Sequence, residues 1–111
     1  MTVKTRPPTE FEGRVYHALR EIPAGRVVTY RELARHLECG STQAVGQALK
    51  RNPFAPEVPC HRVICTDGTL GGYAGKRRGV RVDRKRRLLA EEGVHFDDDG
   101  HLLDEEQLWS W

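Results

Sequence analysis

Apolar residues at Phe11, Val15, Ala18, Leu19 and Ile22 recur at the spacing of one helix face. Thr9-x-x-Glu12 just ahead of them is a capping box, in which each side chain satisfies the other residue's backbone N–H, so a helix is predicted to open there. Pro23-Ala24-Gly25 ends it and turns the chain into a short strand, Arg26-Val27-Val28. Thr29-x-x-Glu32 repeats the capping box and opens a second helix, with Leu33, Ala34 and Leu37 inside. Gly40-Ser41 breaks that helix. Ser41 is placed to cap a third, carrying Ala44, Val45, Ala48 and Leu49, which Asn52-Pro53 stops. Two short helices around a tight Cys39-Gly40-Ser41 turn have the form of a helix-turn-helix. Further on, Val63-Ile64 favours a strand and residues 67–75 form a Gly-rich loop or wing. Asp83 is expected to cap a last helix with Leu88, Leu89 and Ala90, stopped by Gly93. The pattern therefore predicts a mainly α, winged helix-turn-helix-like domain of four or so helices with a small β element.

Length and composition narrow this further. The 111 residues fit one domain, 1–111, with a flexible start over 1–8 and an acidic-aromatic extension over 94–111. With 38% hydrophobic and 31% charged residues the chain reads as an ordinary soluble protein. No apolar run approaches membrane length, and Met1-Thr2-Val3-Lys4 is not followed by a signal-peptide core, so no membrane association is expected. Three cysteines, an odd number without a secreted-scaffold spacing, point to a reducing cytoplasm, next to the nucleoid if the source is prokaryotic. A monomer is expected. Net charge is only +2, but residues 76–87 read KRRGVRVDRKRR, and acids dominate from Glu91 onward. The basic block is either a footprint for a polyanion, nucleic acid first, or a solvated surface run. The acidic tail interleaves Val94, Phe96, Leu102, Leu103, Leu108, Trp109 and Trp111, too apolar for disorder, and is expected to fold back through a hairpin at Asp99-Gly100.

The segment with the most chemistry is Pro59-Cys60-His61-Arg62-Val63-Ile64-Cys65. Proline fixes the backbone entering it, and a thiol beside an imidazole has the base it needs to become nucleophilic. The competing reading is a buried, inert cysteine. A zinc site from Cys39, Cys60, His61 and Cys65 is disfavoured, because the C-x4-C spacing does not suit common structural zinc sites.

In order along the chain stand Ile22-Pro23-x-Gly25-x-Val27-x-Thr29-Tyr30, Ala44-Val45-Gly46, Asn52-Pro53, Pro59-Cys60-His61-Arg62-Val63-Ile64, Gly72-Tyr73-Ala74-Gly75 and Leu88-Leu89-x-x-Glu92-Gly93. With these motifs the chain resembles the C-terminal, DNA-binding and active-site domain of the O6-alkylguanine-DNA alkyltransferases, over about Phe11 to Gly93. The family's separate N-terminal domain is not among the matched residues. The resemblance implies irreversible transfer of an alkyl group from guanine O6 in double-stranded DNA to Cys60, once per molecule and without a cofactor or metal. It gives His61 the thiol proton through a bridging water, and makes Glu92 the orienter of the imidazole. Asn52 then organises the turn around the site, and Tyr30 donates a proton to the leaving guanine. The backbone after Tyr73, at Ala74, holds O6, with Gly75 beside it.

The resemblance also places the third helix, from Ser41 and Thr42 through Gln43, Ala44 and Gly46 to Lys50 and Arg51, against the minor groove. The target nucleotide is flipped out of the duplex. Arg62, Arg77 and Arg78 complete the expected DNA-binding set. Two features depart from the family pattern. Gln43 stands where an arginine wedge is usual, and the basic stretch between Gly75 and Leu88 is longer, so its arginines, Arg81 included, are expected to supply phosphate contacts. A rival from a different class is the alkyltransferase-like proteins, which bind alkylated guanine and recruit excision repair without chemistry. Their hallmark is Trp or Ala at the cysteine position, and Cys60 argues against that reading.

Overall fold

The first three helices each begin where a side chain satisfies one of their free N–H groups. The computed structural model describes residues 9–55, 57–71 and 80–111 of the chain, with the side chains of 80–82 left aside. The expected start over 1–8, the loop residues Gly72, Tyr73, Ala74, Gly75, Arg77 and Arg78, and the side chain of Arg81 lie outside them. Helix α1 (Glu10–Glu21) opens on the Thr9–Glu12 capping box with both halves formed, at 3.0 Å each. Strand β1 (Val28–Thr29) starts two residues later than predicted and ends one later, because Arg26 N–H turns back to Pro23 and Val27 pairs elsewhere. Thr29 then caps α2 (Tyr30–His36), but only half of the second box forms: Glu32 turns instead to Arg35, 2.9 Å from its Nε.

Helix α2 ends in a Schellman motif. Cys39 N–H reaches Ala34 O, Glu38 N–H reaches Arg35 O, and Glu38 takes a left-handed φ of 55°. Leu37, expected inside the helix, is its C-cap. Ser41 caps α3 (Thr42–Lys50) through Ala44 N–H at 3.1 Å, as the sequence predicts. Helix α3 packs on both α1 and α2 around Val15, Leu19, Leu33, Val45 and Leu49, all buried. The helix-turn-helix is therefore held from behind by α1.

Past Pro59 the chain makes one 3-10 turn, Cys60–Arg62, which sequence periodicity does not reveal, and enters β2 (Val63–Ile64). β1 and β2 pair in parallel, Val28 opposite Val63 and Thr29 opposite Ile64. Helix α4 (Val80–Glu91) starts three residues before the predicted cap, so Asp83 lies in its first turn rather than at its N-cap. There a carboxylate still favours the positive helix end, so an early acid marks a helix start only loosely. Its C-terminus is as predicted: Gly93 takes φ 87°, and Val94 N–H bonds Leu89 O at 2.8 Å.

The tail folds back as the sequence predicts. Asp97 and His101 close a turn around Gly100, Phe96 faces Leu102 across it, and Val27 exchanges backbone bonds with Gln107 and Trp109. A second buried cluster forms where Val94 and Phe96 of the tail meet Val27, Ile64, Leu70 and Leu89. Trp109 and Trp111 pack onto the main core from outside. Arg86 bonds the carbonyls of Phe96 and Asp97, so part of the basic run serves the tail rather than a phosphate.

Candidate active site

The 3-10 turn sets Cys60 and His61 at the start of β2, both buried, at 7% and 2% exposure. Two observations explain the turn. Pro59 restricts the backbone that enters it. Asn52 shapes the approach: its Nδ2 donates to Val58 O at 2.9 Å, and its Oδ1 accepts from Phe54 N–H at 2.9 Å. One amide thereby clamps both sides of the loop from α3 to Cys60.

Glu92 closes the site from the C-cap of α4. Its Oε2 lies 3.0 Å from His61 Nε2, while Arg62 donates from Nε and Nη2 to both carboxylate oxygens at 2.9 and 2.8 Å. Burial pushes the Glu92 carboxyl up, but its bonds to Arg62 and His61 outweigh that and hold it below the ordinary range. An ionised carboxylate accepts only, so Nε2 must carry the imidazole proton and Nδ1 keeps its lone pair. Nδ1 is buried and has no hydrogen-bond partner among the described residues. Burial also lowers the His61 pKa, against the pull of Glu92, and keeps the ring neutral. The arrangement is a neutral base with one nitrogen fixed and the other ready for a proton.

Arg62 was expected among the DNA-facing residues. The structure turns its guanidinium inward, with Nη1 donating to Ile22 O at 2.7 Å and the other donors on Glu92. Tyr30 opens α2, half-buried against the main core. On α3, Ser41, Thr42, Gln43 and Lys50 are exposed, with Arg51 just beyond; Ala44 and Gly46 are half-buried. A Cβ built on Gly46 would meet nothing within 4 Å, so the fold itself does not demand glycine there.

Lys85 is the residue that sequence reasoning misplaced. Standing in a basic run, it reads as surface, yet it is 1% exposed with Nζ donating to Val63 O at 2.9 Å and Leu70 O at 2.7 Å. Burial lowers its pKa to about 8, and the thiols of Cys65 and Cys60 pull the other way. No signal in the sequence separates it from the exposed Arg84 and Arg87.

The chain matches the family described as "6-O-methylguanine DNA methyltransferase, DNA binding domain" over residues 10–94. It is 45% identical over 89 residues to the methylated-DNA--protein-cysteine methyltransferase of Methanothermobacter thermautotrophicus, covering 80% of this chain and 47% of that protein. Against the protein of the same name from Salmonella typhimurium it is 49% identical over 86 residues, covering 77% and 47%. The chain thus spans about half the length of the curated relatives it matches. Among solved structures, Mycobacterium tuberculosis OGT in complex with DNA superposes with TM-score 0.69 at 44% identity, over 78% of this chain and 51% of that one. S. pombe Atl1 in complex with damaged DNA containing O6-carboxymethylguanine gives 0.74 at 34% identity, over 96% and 100%.

Proposed function

Because this chain belongs to the 6-O-methylguanine DNA methyltransferase family, we propose that it repairs DNA by moving an alkyl group from O6 of guanine onto Cys60. The observation that carries the reading is Cys60 beside a neutral His61 whose second nitrogen is tied to an ionised Glu92. The thiol gives up its proton toward His61 Nδ1. The thiolate then attacks the alkyl carbon in line: the S–C bond forms, the C–O bond breaks, and its electron pair goes to the guanine, which takes up a proton. Tyr30 is proposed as the donor of that proton, and the backbone at Ala74 as the holder of O6. No step regenerates the thiol, so each molecule acts once.

The target carbon lies inside a duplex, so the nucleotide must be extruded, at a cost of a few kcal/mol and less at a damaged pair. The exposed face of α3, with Ser41, Thr42, Gln43, Ala44, Gly46 and Lys50, is proposed to enter the minor groove, with Gln43 filling the gap in the stack. Gln43 fills it without charge, so phosphate contacts from Lys50, Arg51, Arg77, Arg78 and Arg81 carry more of the affinity. The partner is alkylated double-stranded DNA, met by a monomer in the cytoplasm.

The match to Atl1 over 96% of this chain supports one alternative: a protein that binds the lesion without chemistry and recruits excision repair. Cys60 in its clamped turn favours transfer. Intact-mass measurement after incubation with an O6-methylguanine duplex decides between them, with Cys60→Ser as control. One added methyl on the wild type alone is expected. Tight lesion binding with no mass change overturns the transfer reading.

A further inference from the structure

An exposed apolar side chain is ordinary on its own; its place on the fold is what gives it meaning. Phe54 is 42% exposed, and it stands in the loop that runs from the end of α3 to Cys60. Gln43, Gln47 and Lys50, at helical spacing, form the outer face of α3, and Arg51, Pro53 and Phe54 carry the exposed surface onward from its end. Two backbone bonds then lead to the thiol: Val58 N–H to Phe54 O at 3.0 Å, and Cys60 N–H to Val58 O at 2.8 Å. The residue therefore lies on the path from the helix proposed to enter the groove to the sulfur.

The loop does not leave the ring loose. Asn52 Oδ1 accepts from Phe54 N–H at 2.9 Å, while the same amide holds Val58 O. The ring itself meets Tyr16 edge to face, with centroids 6.0 Å apart and planes at 83°. Tyr16 is buried and anchored by its hydroxyl, which donates to Ala48 O of α3 at 2.9 Å. A ring held this way in solvent has already lost freedom that binding would otherwise cost. Its sequence neighbours are basic: Lys50 and Arg51 are both exposed, and Arg51 is partly engaged by Glu12 at 3.4 Å. An aromatic beside cations suits nucleic acid whose bases are unstacked, the charges following the backbone and the π face taking a base.

Extrusion of a guanine leaves the bases on either side of it each with one face bare. We propose that Phe54 is a DNA-binding residue whose ring covers the bared face of a base next to the extruded guanine. The proposal rests on the reading of this chain as a lesion-binding repair protein, and adds to it a contact that exists only once the nucleotide has left the stack. Such a contact needs neither charge nor a particular sequence, since every base offers a π face. Phe54 thereby favours the flipped state in a protein whose Gln43 brings no charge to it.

Binding is measured by fluorescence anisotropy in a Cys60→Ser background, which keeps chemistry out, on duplexes with and without one O6-methylguanine. Phe54→Leu keeps apolar bulk against Tyr16 but removes the π face, whereas Phe54→Tyr keeps both. Phe54→Leu should weaken lesion binding about tenfold and leave binding to the undamaged duplex, and the salt slope, as they were, with Phe54→Tyr close to the parent. Unchanged lesion affinity, an equal loss on both duplexes, or a flattened salt slope overturns the proposal, the last because the loss then runs through Lys50 and Arg51. Should Phe54→Leu not fold, the parent protein decides. With its three phenylalanines ring-labelled for NMR, the Phe54 signal should move upfield when the lesion duplex is added, and an unmoved signal is equally fatal. Methyl transfer by the protein with Cys60 intact is run alongside. Its failure, with the Phe54 series as expected, would sink the repair reading and leave the ring contact standing.

Discussion

His61 and Lys85 are both held toward their neutral forms, and the same sign follows for each. Burial lowers the imidazole, so the unfolded chain binds more protons just below the ordinary histidine range. Stability therefore rises with pH through that window and is lost as pH falls through the folded value. For Lys85 the window runs from about 8 to 10.5, and stability again rises across it, by on the order of 3 kcal/mol. Thermal midpoints measured against pH should show this upper rise in the wild type and lack it in Lys85→Met; identical curves would mean the amine is not desolvated. The pairing of His61 with Glu92 was legible in the sequence because the family motif carries both residues. The inward turns of Arg62 and Lys85 were not. Each depends on a partner at least 15 residues away, and a basic residue in a basic run looks the same whether buried or exposed.

Helix ends were the most legible elements, since caps are local chemistry. Thr9, Ser41 and Gly93 each do what their type predicts. The 3-10 turn at Cys60 and the early start of α4 escaped, because neither has a periodic signature. Glu38, in a left-handed conformation that costs a side chain roughly 1 kcal/mol, is equally invisible without the backbone. The helix proposed to meet DNA contains Gly46 although the fold leaves room for a methyl group. Gly46→Ala should therefore stabilise the protein by about 0.5–1 kcal/mol in a denaturant melt while weakening binding to a lesion duplex. Stabilisation with unaltered affinity would remove this face of α3 from the interface.

At the scale of the molecule, the C-terminal segment is a working part of the core. Trp109 and Trp111 meet edge to face at 4.9 Å, Trp111 stacks on His36 at 4.0 Å, and its indole N–H bonds Glu21 at 2.7 Å. Phe96 and Val94 complete the second cluster. The interleaving of apolar residues among acids foretold that the tail would fold back; what it would touch was not foretold, since that is a matter of long-range pairing. Removing residues 109–111 should cost about 2 kcal/mol in a thermal or urea melt, from lost aromatic burial. A shift smaller than the error of the melt would show the indoles to be ornamental.

Val27 has a second importance through its bonds to Gln107 and Trp109. Its neighbour Val28 already pairs with Val63, so the tail occupies the outer rim of a sheet only two strands wide. An open rim of unpaired amides invites a strand from another copy. Shortened chains should thus do more than melt early: they should become sticky, losing solubility in proportion to their concentration.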